Sequence, residues 1–576
     1  KMSKKLNQLS KEQLIELIEK SKLNKKYGLV WEEIPEDQKI NLLKFHPVLK
    51  EHKELALDDS NNKTNYFIEG DNLQALTALQ GLYLNKIDII YIDPPYNTGA
   101  KDWKYNNNFV DSEDGYRHSK WINMIYSRLI LSKDLLKEDG IICMTIDDYE
   151  FPRAYFLMEE VFGESNHLGN IVIRNNPSGR STTKGISITH EYAIIFGKTE
   201  KSQVSYLPRN KNQIARYNLE DSKGHYELVN FRKAGAFRSE SEKMYFPIFI
   251  NKDKLSVRIP NLKWDKDNSL WEVLEKPNKN ETLFFPIDDK GTERRWRWGV
   301  ERVIEFQNEL VVKKQKNNYQ VYIKSYMPND GVLPNTWWDD KKYSSTAYGT
   351  NLLNDIFSST QVFPYPKSLH AVKDTILFSS PNKNAVVLDF FAGSGTTGQA
   401  VLELNKEDGG NRQFILVTNN ENNIAEEVTY PRLRNVINGY KNLKNEKVEG
   451  LGGNLKYYEI DFVPADNSDP SMYELAINLV DTLCLKENTF TEHHTSKDIK
   501  IFKNKEDHHC CIVFDEDKIG QALQKLNNTD GSYSFYIYSL GGETFDEELE
   551  DFISEHPNTI STPFPLTMKN IYKSLK

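Results

Sequence analysis

The chain has 576 residues, too many for one hydrophobic core, so several domains are expected. Its 38% hydrophobic and 27% charged residues describe a folded chain, and no apolar run reaches the roughly 18 residues of a membrane helix, so no membrane partner is expected. The net charge of −9 argues against a simple nucleic-acid coat, yet residues 201–300 hold 20 Lys and Arg against 14 Asp and Glu, a local +6 that leaves −15 elsewhere and predicts one phosphate-facing region. The N-terminus has no apolar signal core, and Cys143, Cys484, Cys510 and Cys511 are unpatterned; both predict a reducing, cytoplasmic setting without a disulfide frame.

In chain order, Ser10 to Gln13 has capping-box spacing and precedes Leu14, Ile15, Leu17 and Ile18, which predicts a short amphipathic helix. Residues 51–65 read as a polar linker. Tyr66–Glu69 reads as a strand, Leu73 to about Leu84 as a helix, and Ile87–Ile92 as a buried parallel strand. Gly140–Ile146 and His190–Phe196 read as two more strands of that kind. Residues 201–345 break the alternation, which returns with a strand at Ala385–Phe390, a Gly-rich turn, a helix from about Thr397 to Leu404 and a strand at Arg412–Thr418. A helix around Leu475–Leu483 and strands at Cys511–Phe514 and Ser534–Ser539 close the chain as a small separate α/β domain. Strands alternating with helices imply an open α/β sheet, here in two halves around an insertion.

Two strings carry chemistry. Asp93-Pro94-Pro95-Tyr96 ends the Ile87–Ile92 strand, and ligands of doubly wound sheets bind at such carboxyl ends. The two prolines stiffen the backbone and remove two N–H donors, leaving the Asp93 carboxylate and the Pro94 carbonyl as acceptors for a ligand amine. An exocyclic base amine is a poor nucleophile because its lone pair is delocalised; acceptors that hold its hydrogens turn it toward tetrahedral geometry. Tyr96 can stack on a base that has left the duplex. The alternative for this tetrapeptide is a surface turn. The second string, Asp389-Phe390-Phe391-Ala392-Gly393-Ser394-Gly395-Thr396-Thr397, is a Gly-rich strand-to-helix turn that a cofactor can approach closely, and it lacks the Gly-Lys-Ser/Thr of a Walker loop.

Together these strings resemble the amino-methyltransferases of DNA. Their order, with Asp-Pro-Pro-Tyr before the cofactor loop, resembles the circularly permuted β class. Ile68 to Leu76, Tyr91 to Gly99, Lys26 to Trp31 and Ile571 to Lys573 resemble the modification subunit of type III restriction–modification systems. The resemblance implies a Rossmann-like α/β sheet that binds S-adenosylmethionine and methylates N6 of adenine in double-stranded DNA by flipping the base. It further implies a homodimer and a restriction partner with helicase and nuclease domains. Asp93, Pro94, Pro95 and Tyr96 would form the catalytic pocket; Asp389, Phe391, Ala392, Gly393, Ser394, Gly395 and Thr396 would line the methionine end of the cofactor. Asp71, with Asn72, would reach the cofactor adenine, Glu421 or its rival Asn419 the ribose, and Pro366, Lys367, Ser368 and His370 the far side of the cofactor. Asp before Pro-Pro-Tyr is usual for N6-adenine enzymes and Ser for N4-cytosine enzymes, while methylation at C5 needs a cysteine after proline, and none is present. A stand-alone DNA methyltransferase, a specificity module with weak methylation and an RNA methyltransferase are the rival readings. Five segments follow: an N-terminal arm and linker (1–60), a catalytic half (61–200), a target-recognition domain (201–345), a cofactor half (346–464) and a C-terminal domain (465–576).

For DNA contact, Arg294-Arg295-Trp296-Arg297-Trp298 stands out, since arginine forks read guanine edges or clamp phosphates and Trp can wedge; a basic strand with alternating faces is the equal alternative. Arg174, Arg180 and Lys184 lie in a loop that either touches DNA or is simply solvated. His493-His494 and His508-His509-Cys510-Cys511 fit no zinc-finger spacing and read as strand residues, so no metal is expected.

Overall fold

The computed structural model describes Trp31 and residues 36–57, 63–97, 117–179, 185–315, 318–466, 468–527, 529–565 and 567. The N-terminal helix, most of the Lys26–Trp31 string, Arg180, Lys184 and Ile571 to Lys573 fall outside them.

Ten strands form the main sheet among the described residues. In chain order they are β1 (Phe45–Glu51), β2 (Thr64–Glu69), β3 (Ile87–Ile92), β4 (Leu136–Ile146), β5 (His167–Ile173), β6 (Glu191–Gly197), β7 (Trp337–Trp338), β8 (Val386–Asp389), β9 (Gln413–Thr418) and β10 (Asn454–Pro464). Their spatial order is β1-β10-β2-β9-β8-β3-β4-β6-β5-β7. The block from β10 through β4 is parallel. Every residue of β3 and of β9 is buried, as strands covered on both faces require. Helices α1 (Asn72–Tyr83), α2 (Arg117–Leu135), α3 (Phe151–Phe162), α4 (Leu369–Ser379), α5 (Thr396–Asp408) and α6 (Tyr430–Asn438) supply the cover.

Three expectations change. The apolar run at Glu191–Gly197 is a strand but runs antiparallel to β4, because a buried run reports burial and not direction. The linker read at 51–65 overlaps two sheet strands, β1 at Glu51 and β2 at Thr64 and Asn65: β1 pairs antiparallel with β10 and buries His46, Pro47, Val48 and Leu49, and β2 pairs parallel with β10. Pro47 is tolerated there because β1 is the edge, where a missing N–H faces no ladder partner. The C-terminal five-stranded sheet belongs to the same compact unit as the main sheet rather than to a separate one. Helix Val480–Glu487 joins them, with Asp481 Oδ2 accepting from Glu51 N at 3.0 Å and Thr482 Oγ1 from Leu49 N at 3.4 Å.

Leu207–Val332 forms a second compact unit, built from short antiparallel strands. Its core includes Phe231, Phe246, Ile248, Trp296, Val312 and Val321.

Candidate active site

The permutation places the two strings side by side. Strand β8 pairs in parallel with β3, Val387 against Ile89 and Leu388 against Ile90, so the turns after Ile92 and Asp389 open at the same sheet edge. They line one cavity with Tyr91, Asp93, Pro95, Tyr96, Glu191, Lys367, Asp389, Phe391 to Ser394, Thr396 and Thr397.

The Asp93–Tyr96 turn is anchored from several sides. The Trp121 indole of α2 donates to the Pro95 carbonyl at 2.7 Å. Thr145 Oγ1 of β4 donates to Asp93 Oδ1 at 2.8 Å, and Lys367 Nζ lies 3.0 Å from the same oxygen. Lys367 also meets Glu191 Oε2 at 2.7 Å, and the Tyr96 hydroxyl donates to that oxygen at 3.0 Å. Burial pushes the Asp93 carboxyl up, the Lys367 cation pulls it down, and the Glu191 charge pushes it up again. Lys367 itself is held above the ordinary lysine value: burial opposes its charge, and the two carboxylates outweigh burial. Pro94 is buried and does not line the cavity, so the carboxylate of Asp93 is the acceptor the geometry presents.

The cofactor loop is fixed by buried groups. Asp389 Oδ1 accepts from Phe391 N at 3.0 Å and Oδ2 from Thr397 Oγ1 at 2.6 Å. Burial raises the Asp389 carboxyl to about 7. Gly395 caps α5 at φ 77°, a left-handed conformation, and a Cβ there would lie 3.3 Å from Thr429 Cγ2. Arg432 of α6, fully buried, donates through Nη1 to Ser394 O at 3.1 Å, Ser394 Oγ at 3.0 Å and Thr396 Oγ1 at 2.8 Å. Its Nε and Nη2 reach Gln399 Oε1 at 3.1 and 2.9 Å. Burial lowers the guanidinium to about 10, so it remains a cation at neutral pH. Thr429 Oγ1 donates to Gly393 O at 2.6 Å.

S-adenosylmethionine fits these residues. Among the described residues no side chain caps the first turn of α5, so its N–H groups suit the carboxylate of a methionine moiety. The carboxylates of Asp93 and Glu191 outnumber the Lys367 ammonium, and Asp389 can add a third on ionising, which suits a cationic sulfonium.

Several sequence-predicted residues fall elsewhere. Asp71 caps α1, accepting from Leu73 N at 2.9 Å, and pairs with Arg128 at 3.1 Å; Asn72 Nδ2 donates to the Phe390 carbonyl at 2.9 Å. Asn419 and Glu421 stand just past β9, 3.5 Å apart through Nδ2 and Oε2. None of these four lines the cavity, nor does Ser368, whose hydroxyl donates to the Lys342 carbonyl at 2.9 Å. Gly395 is the hinge of the loop rather than a lining residue, Pro366 does line the cavity, and His370 packs on the Tyr348 ring. Thr145, Glu191, Thr429 and Arg432 escaped the sequence reading; only the His-Glu-Tyr at the head of β6, a carboxylate entering an apolar strand, offered a signal.

In the inserted unit, Trp296 is a correction. Its ring is 1% exposed and stacks on Phe231 at 4.4 Å, and its Nε1 donates to the Phe246 carbonyl at 2.7 Å, so it is core and no wedge for DNA. Arg294 pairs with Asp288 at 2.9 Å, Arg295 lies 3.7 Å from Glu240, and Trp298 sits under Arg302. Arg297 is exposed, with Nε donating to the Asn230 carbonyl at 2.7 Å, and Arg174 is exposed at the end of β5. Cys510 and Cys511 lie in strand His508–Val513 and enter the cores on opposite faces of its sheet, while His508 Nε2 meets Glu487 Oε2 at 2.8 Å.

A Rossmann-like sheet that opens the Asp93–Tyr96 turn and the Gly-rich Asp389–Thr397 loop into one cavity is the build of an S-adenosylmethionine-dependent methyltransferase. The chain belongs to the DNA methylase family: the N6/N4 DNA methylase family model matches residues 87–428. It is 34% identical to the type II methyltransferase M.KpnI of Klebsiella pneumoniae, over 70% of this chain and 94% of that protein. It is 31% identical to the Mod subunit of the type III restriction-modification enzyme EcoPI of Escherichia phage P1, over 63% of this chain and 59% of that one. The StyLTI Mod subunit of Salmonella typhimurium is 28% identical, with 73% and 61% covered, so the match spans about three-fifths of these type III relatives. Among solved structures, the M1.HpyAVI–SAM complex is 15% identical, covering 64% of this chain and 98% of that one at a TM-score of 0.27. The cytosine-N4-specific PvuII DNA methyltransferase is 12% identical, covering 65% and 87% at a TM-score of 0.31. S-adenosylmethionine is the methyl donor of the family.

Proposed function

We propose that this enzyme methylates N6 of adenine in a short asymmetric DNA sequence, as the modification and specificity subunit of a type III-like restriction–modification system. The observation that carries this reading is the Asp93 carboxylate, held at one oxygen and open to the cavity beside the Asp389–Thr397 loop. S-adenosylmethionine supplies an electrophilic methyl group when bound. Asp93 accepts a hydrogen of the flipped adenine amine and localises the nitrogen lone pair, while Tyr96 stacks on the base. The nitrogen–methyl bond forms as the donor's sulfur–methyl bond breaks, its electron pair staying on sulfur, and the surplus amine proton leaves through Asp93 to solvent. Positioning of the two reactants supplies most of the rate. Of the described arginines singled out in the sequence, Arg297 and Arg174 are exposed and suited to contact DNA, and Leu207–Val332 is the proposed recognition unit.

Similarity to named Mod subunits of type III restriction-modification enzymes supports association with a restriction subunit. The homodimer, the helicase and nuclease domains of that partner and a place in the cytoplasm, where DNA and donor meet, are part of the same proposal and rest on the resemblance of the sequence motifs. No helix among the described residues is long and apolar enough to cross a membrane. A stand-alone methyltransferase is the second reading, favoured by the match to 94% of M.KpnI. The test is incubation of unmethylated genomic DNA with the protein and S-adenosylmethionine, followed by single-molecule sequencing. N6-methyladenine at one motif, lost in Asp93→Ala, is the expected result. N4-methylcytosine, or no modified base while the donor still binds, would reject it. Co-purification with a large ATPase separates the two readings.

A further inference from the structure

Both donors that reach Asp93 fall on one oxygen. Thr145 Oγ1 and Lys367 Nζ meet Oδ1 at 2.8 and 3.0 Å, and Oδ2 carries none of the described bonds, in a carboxylate 27% exposed to the cavity. Lys367 is 11% exposed and the one cation among the cavity's described lining residues. Its second partner, Glu191, is 4% exposed and comes from β6, outside both sequence strings. Glu191 Oε2 takes the Lys367 ammonium at 2.7 Å and the Tyr96 hydroxyl at 3.0 Å, while Lys367 also bonds the Tyr96 oxygen and lies 4.6 Å from the centre of its ring.

We propose that Lys367 and Glu191 are positioning residues: Lys367 anchors Oδ1 of an ionised Asp93 so that Oδ2 faces the substrate amine, and Glu191 holds Lys367 and the Tyr96 hydroxyl together, setting acceptor and stacking ring as one unit. This rests on the amine-methylation reading. It moves Lys367 from the cofactor to the catalytic carboxylate.

The electrostatics of the pocket fit. Asp93 faces Tyr91 of β3, Cys143 of β4, Glu191 of β6, Asp389 of β8, Tyr96 and Lys367, with Asp147 acting on Tyr96. Every ionisable group in that set except Lys367 is neutral or negative. Burial holds the Asp93 carboxyl above its ordinary value; a protonated Asp93 would lose the charge that draws the amine hydrogens, and the Lys367 ammonium, with the Thr145 hydroxyl as the lesser contributor, opposes that protonation.

The test is the pH profile of single-turnover methyl transfer from labelled S-adenosylmethionine to unmethylated genomic DNA. Lys367→Met moves the acid limb up by about one pH unit or more, the effect of losing an adjacent opposite charge. Glu191→Gln moves it down, because a like charge is removed. An equal loss of rate at every pH in both variants would overturn the proposal. So would a large loss of donor affinity in Lys367→Met with an unmoved limb, which makes Lys367 a cofactor contact. The ¹³C carboxyl resonance of Asp93, identified by its disappearance in Asp93→Asn, gives the same opposite shifts without catalysis. A parent that methylates nothing would reject the amine-methylation reading, while this titration would still decide whether Lys367 holds Asp93 ionised.

Discussion

Replacing Asp389 by Asn changes stability in a pH-dependent way whose size follows from its surroundings. The carboxyl is 2% exposed, and burial raises it from 3.8 to about 7. Below about pH 4 both folded and unfolded chains carry the proton. Between about pH 4 and pH 7 the folded chain keeps it and the unfolded chain releases it, so stability falls as pH rises; above about 7 the deficit is constant. The deficit is about 1.5 kcal/mol at pH 5 and about 4 kcal/mol at pH 8, at about 1.4 kcal/mol per pH unit. Asparagine can still accept from the Phe391 N–H and can donate to Thr397 Oγ1, so the loop keeps both bonds without the buried charge. The donor-free variant therefore gains about 2.5 kcal/mol over the parent between pH 5 and pH 8. At about 2–4 °C per kcal/mol for a cooperative unit of 150–250 residues, the difference in Tm between variant and parent widens by at least about 5 °C. Differential scanning fluorimetry at the two pH values measures it. Parallel behaviour of the two proteins would show that Asp389 is ionised and compensated in the fold, and would refute the reasoning. The cationic donor favours the ionised form, so donor affinity rises toward pH 8 more steeply in the parent than in the variant, by calorimetric titration.

Arg432→Met strips five donor contacts from Ser394, Thr396 and Gln399; unfolding shows a loss of about 3 kcal/mol or more, and donor binding falls with it. Arg128→Met leaves Glu36 and Asp71 without their shared buried cation, and denaturant titration shows a loss of about 3–5 kcal/mol with the active-site turn intact. Gly349→Ala places a Cβ 2.3 Å from the Pro366 carbonyl, so the Pro366–Lys367 turn shifts and methylation drops while the Leu207–Val332 unit melts unchanged. In that unit, Trp296→Ala costs about 3–5 kcal/mol of stability, whereas Arg297→Ala leaves the melt unchanged, weakens DNA binding and reduces its salt slope by about one.

What was legible in the sequence follows from where the information is local. Asp93 to Tyr96 and Asp389 to Thr397 are continuous strings after apolar strands, so residue type, spacing and strand end all report together, and the cavity brings both strings to one edge. Asp71 is harder to read, since an acid after a strand and before a helix serves equally as a ligand for a nucleoside or as an N-cap, and here it caps and pairs with Arg128. Trp296 is ambiguous for the same reason: a short basic strand exposes alternate residues, and sequence does not say which face the Trp takes. Glu191, Lys367 and Arg432 lie far apart in the chain, and each acquires meaning only through a partner: Asp93 for Lys367 across 274 positions, Tyr96 for Glu191, Ser394 and Thr396 for Arg432. These are buried charges, those of Lys367 and Glu191 balanced by each other and by Asp93 and that of Arg432 held by neutral acceptors, and such placement is a property of the tertiary fold. The groups that present the reacting atoms are therefore readable from sequence, while those that set the protonation and aim of these groups come only from the fold. For the same reason a substitution at Glu191 or Lys367 is expected to reshape the pH dependence of methylation while leaving both recognisable strings untouched.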